Sequence, residues 1–209
     1  MIMFTNLKAV AFVIALVVVM VSGHTVNKAV PVSPPAAPLS YNESIVRKAT
    51  LYSEEYKLND QYALIVDMSQ SANKHRVFLV NIQKQKIEYS GFTSHGRGGG
   101  NTRLKATRFS NAPGSLMTSL GVYRTTEQYI GKHGLSLRLV GLVGTNSNAY
   151  RRSVVLHPAF YVTAAYVKEN HFPGMSEGCI GMDPAISKVL ISKLRSDSLV
   201  YVFTETKNK

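Results

Sequence analysis

The stretch YALIVDMSQSANKHRVFLVNI, residues 62–82, contains two apolar segments separated by a polar run. Residues 62–68 and 75–82 are rich in Val, Ile, Leu and aromatic side chains, a composition typical of β-strands. The polar residues 69–74 interrupt the apolar pattern between them. The stretch therefore predicts two consecutive strands and favours a β-rich fold.

The flanking sequence extends this pattern in both directions and adds a few helices. Further strands are expected at residues 86–93, 135–143, 153–156 and 199–203, with a flexible loop at 98–100 and a turn at 111–114. Helices are expected from a cap at Asn42 or Ser44 to about residue 56, at 161–170, and after Asp183-Pro184. The predicted class is a β-rich α+β fold with a few packing helices.

The first 23 residues predict an export signal. Lys8 is their only charge, and residues 9–21 are an unbroken apolar run. Such a run is shorter than the roughly 20 residues that span a bilayer, and it fits the apolar region of a signal peptide. Small residues before and at Gly23 favour cleavage there, with an uncleaved N-terminal anchor as the alternative. The expected location is the periplasm or cell envelope.

The remaining chain divides into a linker and one domain. Residues 24–40 hold four prolines among small residues, which predicts an extended linker. Residues 41–209 have the length of a single domain with a core of its own, and 45% hydrophobic with 17% charged residues is ordinary for a globular protein.

The charge of the chain is strongly positive, at +12. Removing residues 1–23 takes away Lys8 and no acid, which leaves +11. The basic residues are scattered rather than clustered in a long run, and the expected export favours an anionic envelope surface over nucleic acid as the partner. The oligomeric state stays open.

Cys179 is the single cysteine of an expected exported protein. A lone thiol in that setting is an inert buried residue, a dimer bridge or a reactive group. Here it lies in SEGCIGM, residues 176–182, with glycines on both sides and a predicted helix following. Flanking glycines allow a close backbone approach to a ligand, and a helix N-terminus that points back at the sulfur favours the thiolate. This context favours the reactive interpretation.

A reactive thiol needs a base, and the chain has six histidines. His157 follows a predicted strand, where a rigid scaffold presents working side chains. His95 and His133 both lie beside glycines and remain alternatives. The other three, His24, His75 and His171, lie in the linker, at a solvated strand start and in a loop that ends a helix.

Several ordered blocks resemble the murein L,D-transpeptidase catalytic-domain family. Ser176 and Gly178-Cys179 match the Ser-x-Gly-Cys signature of L,D-transpeptidases. The other blocks are SNAPGS at 110–115 with TSLG at 118–121, YIGKHGLSLRL at 129–139, and VVLH at 154–157 with Tyr161-Val162. The resemblance covers about residues 60–205.

This resemblance implies an L,D-transpeptidase-like β-sandwich or barrel that catalyses acyl transfer on peptidoglycan stem peptides. It places the nucleophile at Cys179 and the base at His157. It also implies that Ser176 and Gly178 shape the cysteine loop, where the N–H groups of Gly178 and Cys179 are candidate oxyanion donors. Candidates for substrate contact are His133, His95, Arg138 and Tyr123. No metal or cofactor is implied. The alternatives are an L,D-carboxypeptidase and a catalytically decayed murein-binding domain.

Three positions depart from the pattern of the family or its superfamily. Pro158 stands where members commonly have glycine after the histidine, but its carbonyl can still accept a hydrogen bond from an imidazole. Glu177 and Gly181 replace the histidine and arginine of the wider superfamily. A carboxylate at Glu177 opposes the thiolate unless its side chain points into solvent.

Overall fold

The computed structural model describes residues 39–100 and 102–205. Its helices are α1 (Tyr41–Glu55), α2 (Ala164–Asn170) and α3 (Pro184–Lys193), and its strands are β1 (Asn59–Asp67), β2 (Val77–Asn81), β3 (Lys86–Gly91), β4 (Gly121–Gly131), β5 (Gly134–Gly141), β6 (Val155–Pro158), β7 (Ile180–Met182) and β8 (Ser198–Phe203). The predicted export signal and residues 24–38 of the predicted linker lie outside the described residues. Within the described ranges, no helix is long and apolar enough to cross a membrane.

The eight strands form one mixed sheet in the order β3-β2-β1-β8-β4-β5-β6-β7. Strands β1 and β8 run parallel, as do β6 and β7, and the other neighbours are antiparallel. The segment after β3 brings the two edges together, because Gly96 forms a bridge with Ser176. The Thr93 hydroxyl also donates to the Gly181 carbonyl of β7 at 2.8 Å. The sheet is therefore nearly closed, like a barrel.

Apolar side chains cover both faces of this sheet. In β1, Leu64 and Val66 pack into the interior together with Leu190 of α3. Ala63 and Ile65 alternate with them and pack in the cluster beneath α1. Fully burying a large aliphatic side chain contributes about 1.5–3 kcal/mol. Packing on both faces holds the sheet as a firm base for the ends of β6 and β7.

All six predicted strands are confirmed, with ends that shift by at most three residues. Helix α1 begins earlier than predicted, because Ser40 rather than Asn42 or Ser44 caps it in a capping box with Glu43. The expected helix at 161–170 is split into a 3₁₀ turn and α2, since Thr163 caps α2. The start of α3 at Asp183-Pro184 is confirmed.

Two strands were not predicted, β4 and β7. Strand β4 is the longest of the sheet, but its register shifts between Thr125 and Gln128. The shift destroys the alternation of apolar and polar residues that identifies a strand in a sequence. Strand β7 has only three residues, too few to show a period, and it carries the chain away from the cysteine loop.

Candidate active site

Cys179 and His157 lie beside each other because β6 and β7 are parallel neighbours. His157 is paired with Gly181, and Cys179 lies two residues before Gly181. Residues two apart in an extended segment point to the same face, so the thiol and the imidazole share one face of the sheet. Both line a cleft of about 760 Å³.

The ring of His157 is held from two sides and is 3% exposed. Its Nδ1–H donates to the Pro158 carbonyl at 2.8 Å, as expected from the proline at this position. Its plane stacks on His133, with the ring centroids 4.4 Å apart. Burial lowers the pKa of His157, the Pro158 carbonyl opposes that effect, and the neighbouring His133 and Lys132 add to it. The result is a neutral imidazole whose Nε2 can accept a proton.

The Cys179 side chain is half-buried, and its Sγ lies 3.5 Å from the Ser153 carbonyl oxygen. Burial raises the pKa of the thiol, and the Glu177 carboxylate raises it further. The Val155 backbone N–H and the cation of Arg152 act in the opposite direction. The net effect is a thiol rather than a thiolate at rest, which therefore requires a base. Helix α3 begins only after strand β7, so its N-terminus does not directly follow the cysteine loop.

The loop before Cys179 has a shape that only glycine fits well. Gly178 has φ +116°, and a Cβ there would lie 2.7 Å from the Met117 carbonyl oxygen. The Ser176 hydroxyl accepts from the Gly178 N–H at 3.1 Å and donates to the Cys179 carbonyl at 2.8 Å. Ser176 and Gly178 therefore shape the loop. The Gly178 N–H is already engaged, which leaves the Cys179 N–H as the backbone donor to consider for an oxyanion.

Arg152 is a site residue that the sequence analysis missed. Its guanidinium donates to the carbonyls of Ser110 at 2.8 Å and Met117 at 2.5 Å, and to the Ser119 hydroxyl at 3.2 Å. It thus fastens the segment 110–119 beside the cysteine loop. The sequence offered only the Arg151-Arg152 charge pair as a signal, and an adjacent pair of cations does not distinguish a structural arginine from a solvated one.

Of the four predicted substrate contacts, only His133 lines the cleft. His95 is 1% exposed, and Arg138 forms an ion pair with Glu127 at 2.8 Å. Tyr123 is buried, and its hydroxyl lies 2.7 Å from that of Ser119. These three side chains therefore lie behind or outside the cleft surface.

Behind the cysteine loop lies an inner support, formed by Arg76, Thr93 and His95. Arg76 is fully buried, and its Nε and Nη2 donate to the Thr93 carbonyl at 3.1 and 2.7 Å. Its Nη2 also lies 3.1 Å from Nδ1 of His95. The His95 carbonyl accepts from the Ser176 N–H at 2.9 Å, and Thr93 holds Gly181. The inner support thus contacts the loop of Cys179 on both sides of the thiol.

Burial has strong consequences for the charges of the inner support. It lowers the pKa of Arg76 to about 10, an effect that the negative charge of Asp67 partly offsets. Burial, with the positive charge of Arg76 as the next cause, lowers the pKa of His95 to about 4. Arg76 therefore stays a cation at neutral pH while His95 stays neutral.

Glu177 points into solvent, the orientation in which its carboxylate opposes the Cys179 thiolate least. Its carboxylate forms an ion pair with Arg97 at 2.8 Å, and both side chains are more than half exposed. The pairing reduces, but does not remove, its effect on the thiol of Cys179.

Residues 38–203 match the L,D-transpeptidase catalytic domain family. Solved structures with a similar fold include an L,D-transpeptidase in complex with imipenem (13% identity, TM-score 0.44), where the match covers 69% of this chain and 60% of that one. An L,D-transpeptidase from Mycobacterium smegmatis is 10% identical with a TM-score of 0.41, and the match covers 68% of this chain and 58% of that one. An L,D-transpeptidase from Xylanimonas cellulosilytica is 13% identical with a TM-score of 0.43, and the match covers 74% of this chain and 69% of that one.

This chain thus spans about three-fifths of the first two of these structures. No curated protein matches it. The family match extends over almost all of the described residues and includes both Cys179 and His157. The chain belongs to the L,D-transpeptidase catalytic-domain family.

Proposed function

We propose that this protein is a cysteine acyltransferase that acts on peptidoglycan stem peptides, with Cys179 as nucleophile and His157 as base. One observation carries the proposal. Cys179, which immediately precedes β7, and His157 of β6 share one face of the sheet and line one cleft. Because Nδ1 of His157 is committed to the Pro158 carbonyl, Nε2 is the nitrogen available to the thiol.

The pKa shifts of the pair define how the reaction begins. Burial raises the pKa of Cys179 and lowers that of His157, so both groups are neutral at rest. Proton transfer from Sγ to Nε2 then accompanies the attack of sulfur on the peptide carbonyl. The N–H of Cys179 is the proposed donor to the oxyanion of the addition intermediate.

The remaining steps return the enzyme to its starting state. The carbon–nitrogen bond breaks, and the leaving terminal D-residue takes the proton from His157 as its amine departs. The acyl group stays on Cys179 as a thioester. An amine of a second stem then attacks the thioester and gives a cross-link, while attack by water gives a trimmed stem. His157 accepts the proton of that nucleophile and returns it to sulfur.

A transpeptidase and a carboxypeptidase need the same two residues and differ in the acceptor. The cationic character of the chain, at +12, suits the anionic envelope surface proposed as its surroundings. Export and location in the periplasm or cell envelope belong to the same proposal, since the substrate is found there.

Mass spectrometry of stem peptides incubated with the purified protein tests the proposal. A cross-linked product identifies a transpeptidase and a shortened stem identifies a carboxypeptidase. The Cys179→Ala variant is expected to form neither. Imipenem provides a second readout, because its strained lactam carbonyl resembles the scissile amide. One added drug molecule should map to the peptide that contains Cys179. If neither product nor adduct forms, the protein is a binding domain and the proposal is wrong.

A further inference from the structure

The wall of the cleft has an excess of positive charge. Among the residues that line it, Arg97, Lys132, Arg151 and Arg152 are cations, and Glu177 is the single carboxylate. This imbalance is local, and it lies where the substrate must bind if the proposed function holds. A cleft lined mainly by one sign of charge concentrates ligands of the opposite sign.

Two of the four cations already have partners in the protein. Arg97 is paired with Glu177 at 2.8 Å, and Arg152 donates to the three oxygens of the segment 110–119. Lys132 and Arg151 are exposed, and neither takes part in an ion pair within the described ranges. These two side chains are therefore free to bind an anion.

Each of the two free cations lies close, along the chain, to a residue that contacts the reactive pair, and both line the cleft. Lys132 belongs to the tight turn between β4 and β5, and its neighbour His133 stacks on His157. Arg151 lies two residues before Ser153, whose carbonyl is 3.5 Å from Sγ of Cys179. A peptide held with its scissile carbonyl at Sγ thus has two free cations in the cleft wall around it.

We propose that Lys132 and Arg151 recognise the two carboxylates that flank the scissile bond of the stem peptide. By the family resemblance, the scissile bond follows a diamino acid of the stem. Where the side chain of that diamino acid ends in a carboxylate, this group is one of the two, and the terminal carboxylate of the leaving D-residue is the other. The inference rests on the proposed function and adds a selectivity to it. The protein takes stems in which both carboxylates are free and discriminates against stems in which either is amidated. Arginine offers a paired fork of donors to a carboxylate, and lysine a compact charge.

Binding to the Cys179→Ala variant tests this selectivity without requiring turnover. Calorimetry at about 150 mM salt compares the tetrapeptide stem with two analogues, one amidated on the diamino acid and one at the C-terminus. We expect each amide to bind roughly tenfold more weakly, the scale of one charge-assisted hydrogen bond. Adding Lys132→Gln or Arg151→Gln should abolish discrimination against one of the two amides and leave discrimination against the other.

The matched control is Arg124→Gln, which removes an exposed cation that is paired with Asp197 and does not line the cleft. It should leave all three affinities unchanged. Equal affinity for the three peptides overturns the inference, as does an equal weakening of all three by either cleft substitution. Since the binding assay uses a protein without the thiol, its outcome is independent of imipenem acylation, which tests the proposed function separately.

Discussion

The inner support behind Cys179 and the cleft wall in front of it contain the same kinds of side chain. Arg76 and His95 lie behind the loop, whereas Arg151 and His133 lie in front. Behind, the guanidinium is fully buried and donates to a carbonyl and a ring nitrogen. In front, both side chains are exposed.

The difference shows that position relative to the cysteine loop, rather than residue type, sets the role of a cation or a histidine here. A buried arginine has paid the cost of leaving water, so its hydrogen bonds fix the backbone that they contact. An exposed arginine keeps its water until a substrate replaces it. Four expected effects test this contrast, and they are ordered by size.

The largest effect is expected from His157→Ala. Loss of a general base typically lowers the rate by about 10²–10⁴-fold, and imipenem acylation followed by intact mass should show a loss of that size. His95→Ala is the comparison, because His95 is buried behind the loop and does not line the cleft. It should lower the melting temperature more than His157→Ala does. Full acylation by His157→Ala together with an inactive, stable His95→Ala would exchange the two roles.

The second effect is acid destabilisation through His95. Its pKa in the folded state is lowered to about 4, mainly by burial, whereas an unfolded histidine titrates near pH 6.5. The unfolded chain therefore binds the proton first, and stability falls as the pH drops from about 6.5 to about 4, by at most about 3 kcal/mol.

Denaturant unfolding between these pH values measures this loss in the wild type and in His95→Asn. The asparagine oxygen can still accept from Arg76 but carries no titrating group, so the variant should lose less stability on acidification. His157, whose pKa is also lowered, contributes equally to both proteins and cancels in the difference. Identical pH profiles would contradict the assignment.

The third effect is a difference in stability between two arginine variants, Arg76→Met and Arg151→Met. The first leaves the buried Thr93 carbonyl without its two donors, which costs about 1–3 kcal/mol. It should also slow acylation of Cys179, since Thr93 holds Gly181. The second removes an exposed cation and should change stability by less than about 0.5 kcal/mol. Equal unfolding free energies for the two variants would show that the inner support does not contribute to stability.

Much of the fold could be predicted from the sequence, because six strands and the start of α3 follow from local composition and capping. The inner support could not. Arg76 lies beside His75 and Lys74 in the sequence and has the appearance of a solvated strand end. Its contacts are a backbone carbonyl and a ring nitrogen 17 and 19 residues further on. Every residue has a backbone carbonyl, so the sequence does not indicate which carbonyl accepts a hydrogen bond from an arginine. A buried arginine of this kind therefore has no recognisable sequence pattern.

The candidate site divides in the same way. Cys179, His157 and the shaping of the loop by Gly178 and Ser176 were expected from motif resemblance, and the structure brings all four to one place. Of the glycine-flanked histidines, His133 reaches the cleft and His95 does not. Both have glycine neighbours in the sequence. What distinguishes them is the tertiary contact between the segment after β3 and the segment before β7, where His95 is buried.

The smallest effect concerns the ion pair at the rim of the cleft. Glu177 raises the pKa of the Cys179 thiol, and Arg97 partly neutralises that carboxylate at 2.8 Å. Glu177→Gln should therefore lower the thiol pKa, and Arg97→Gln should raise it by leaving the carboxylate unpaired. The rate of alkylation by iodoacetamide, followed against pH, reports the thiolate directly. Its profile should move to lower pH in the first variant and to higher pH in the second.

The double variant should follow the first, because without the carboxylate Arg97 has little left to neutralise. Added salt should shrink both shifts, since the pair is exposed to solvent. Shifts of the same sign in both single variants would mean that the loop has changed shape, and that Glu177 acts on Cys179 through the backbone rather than through its charge.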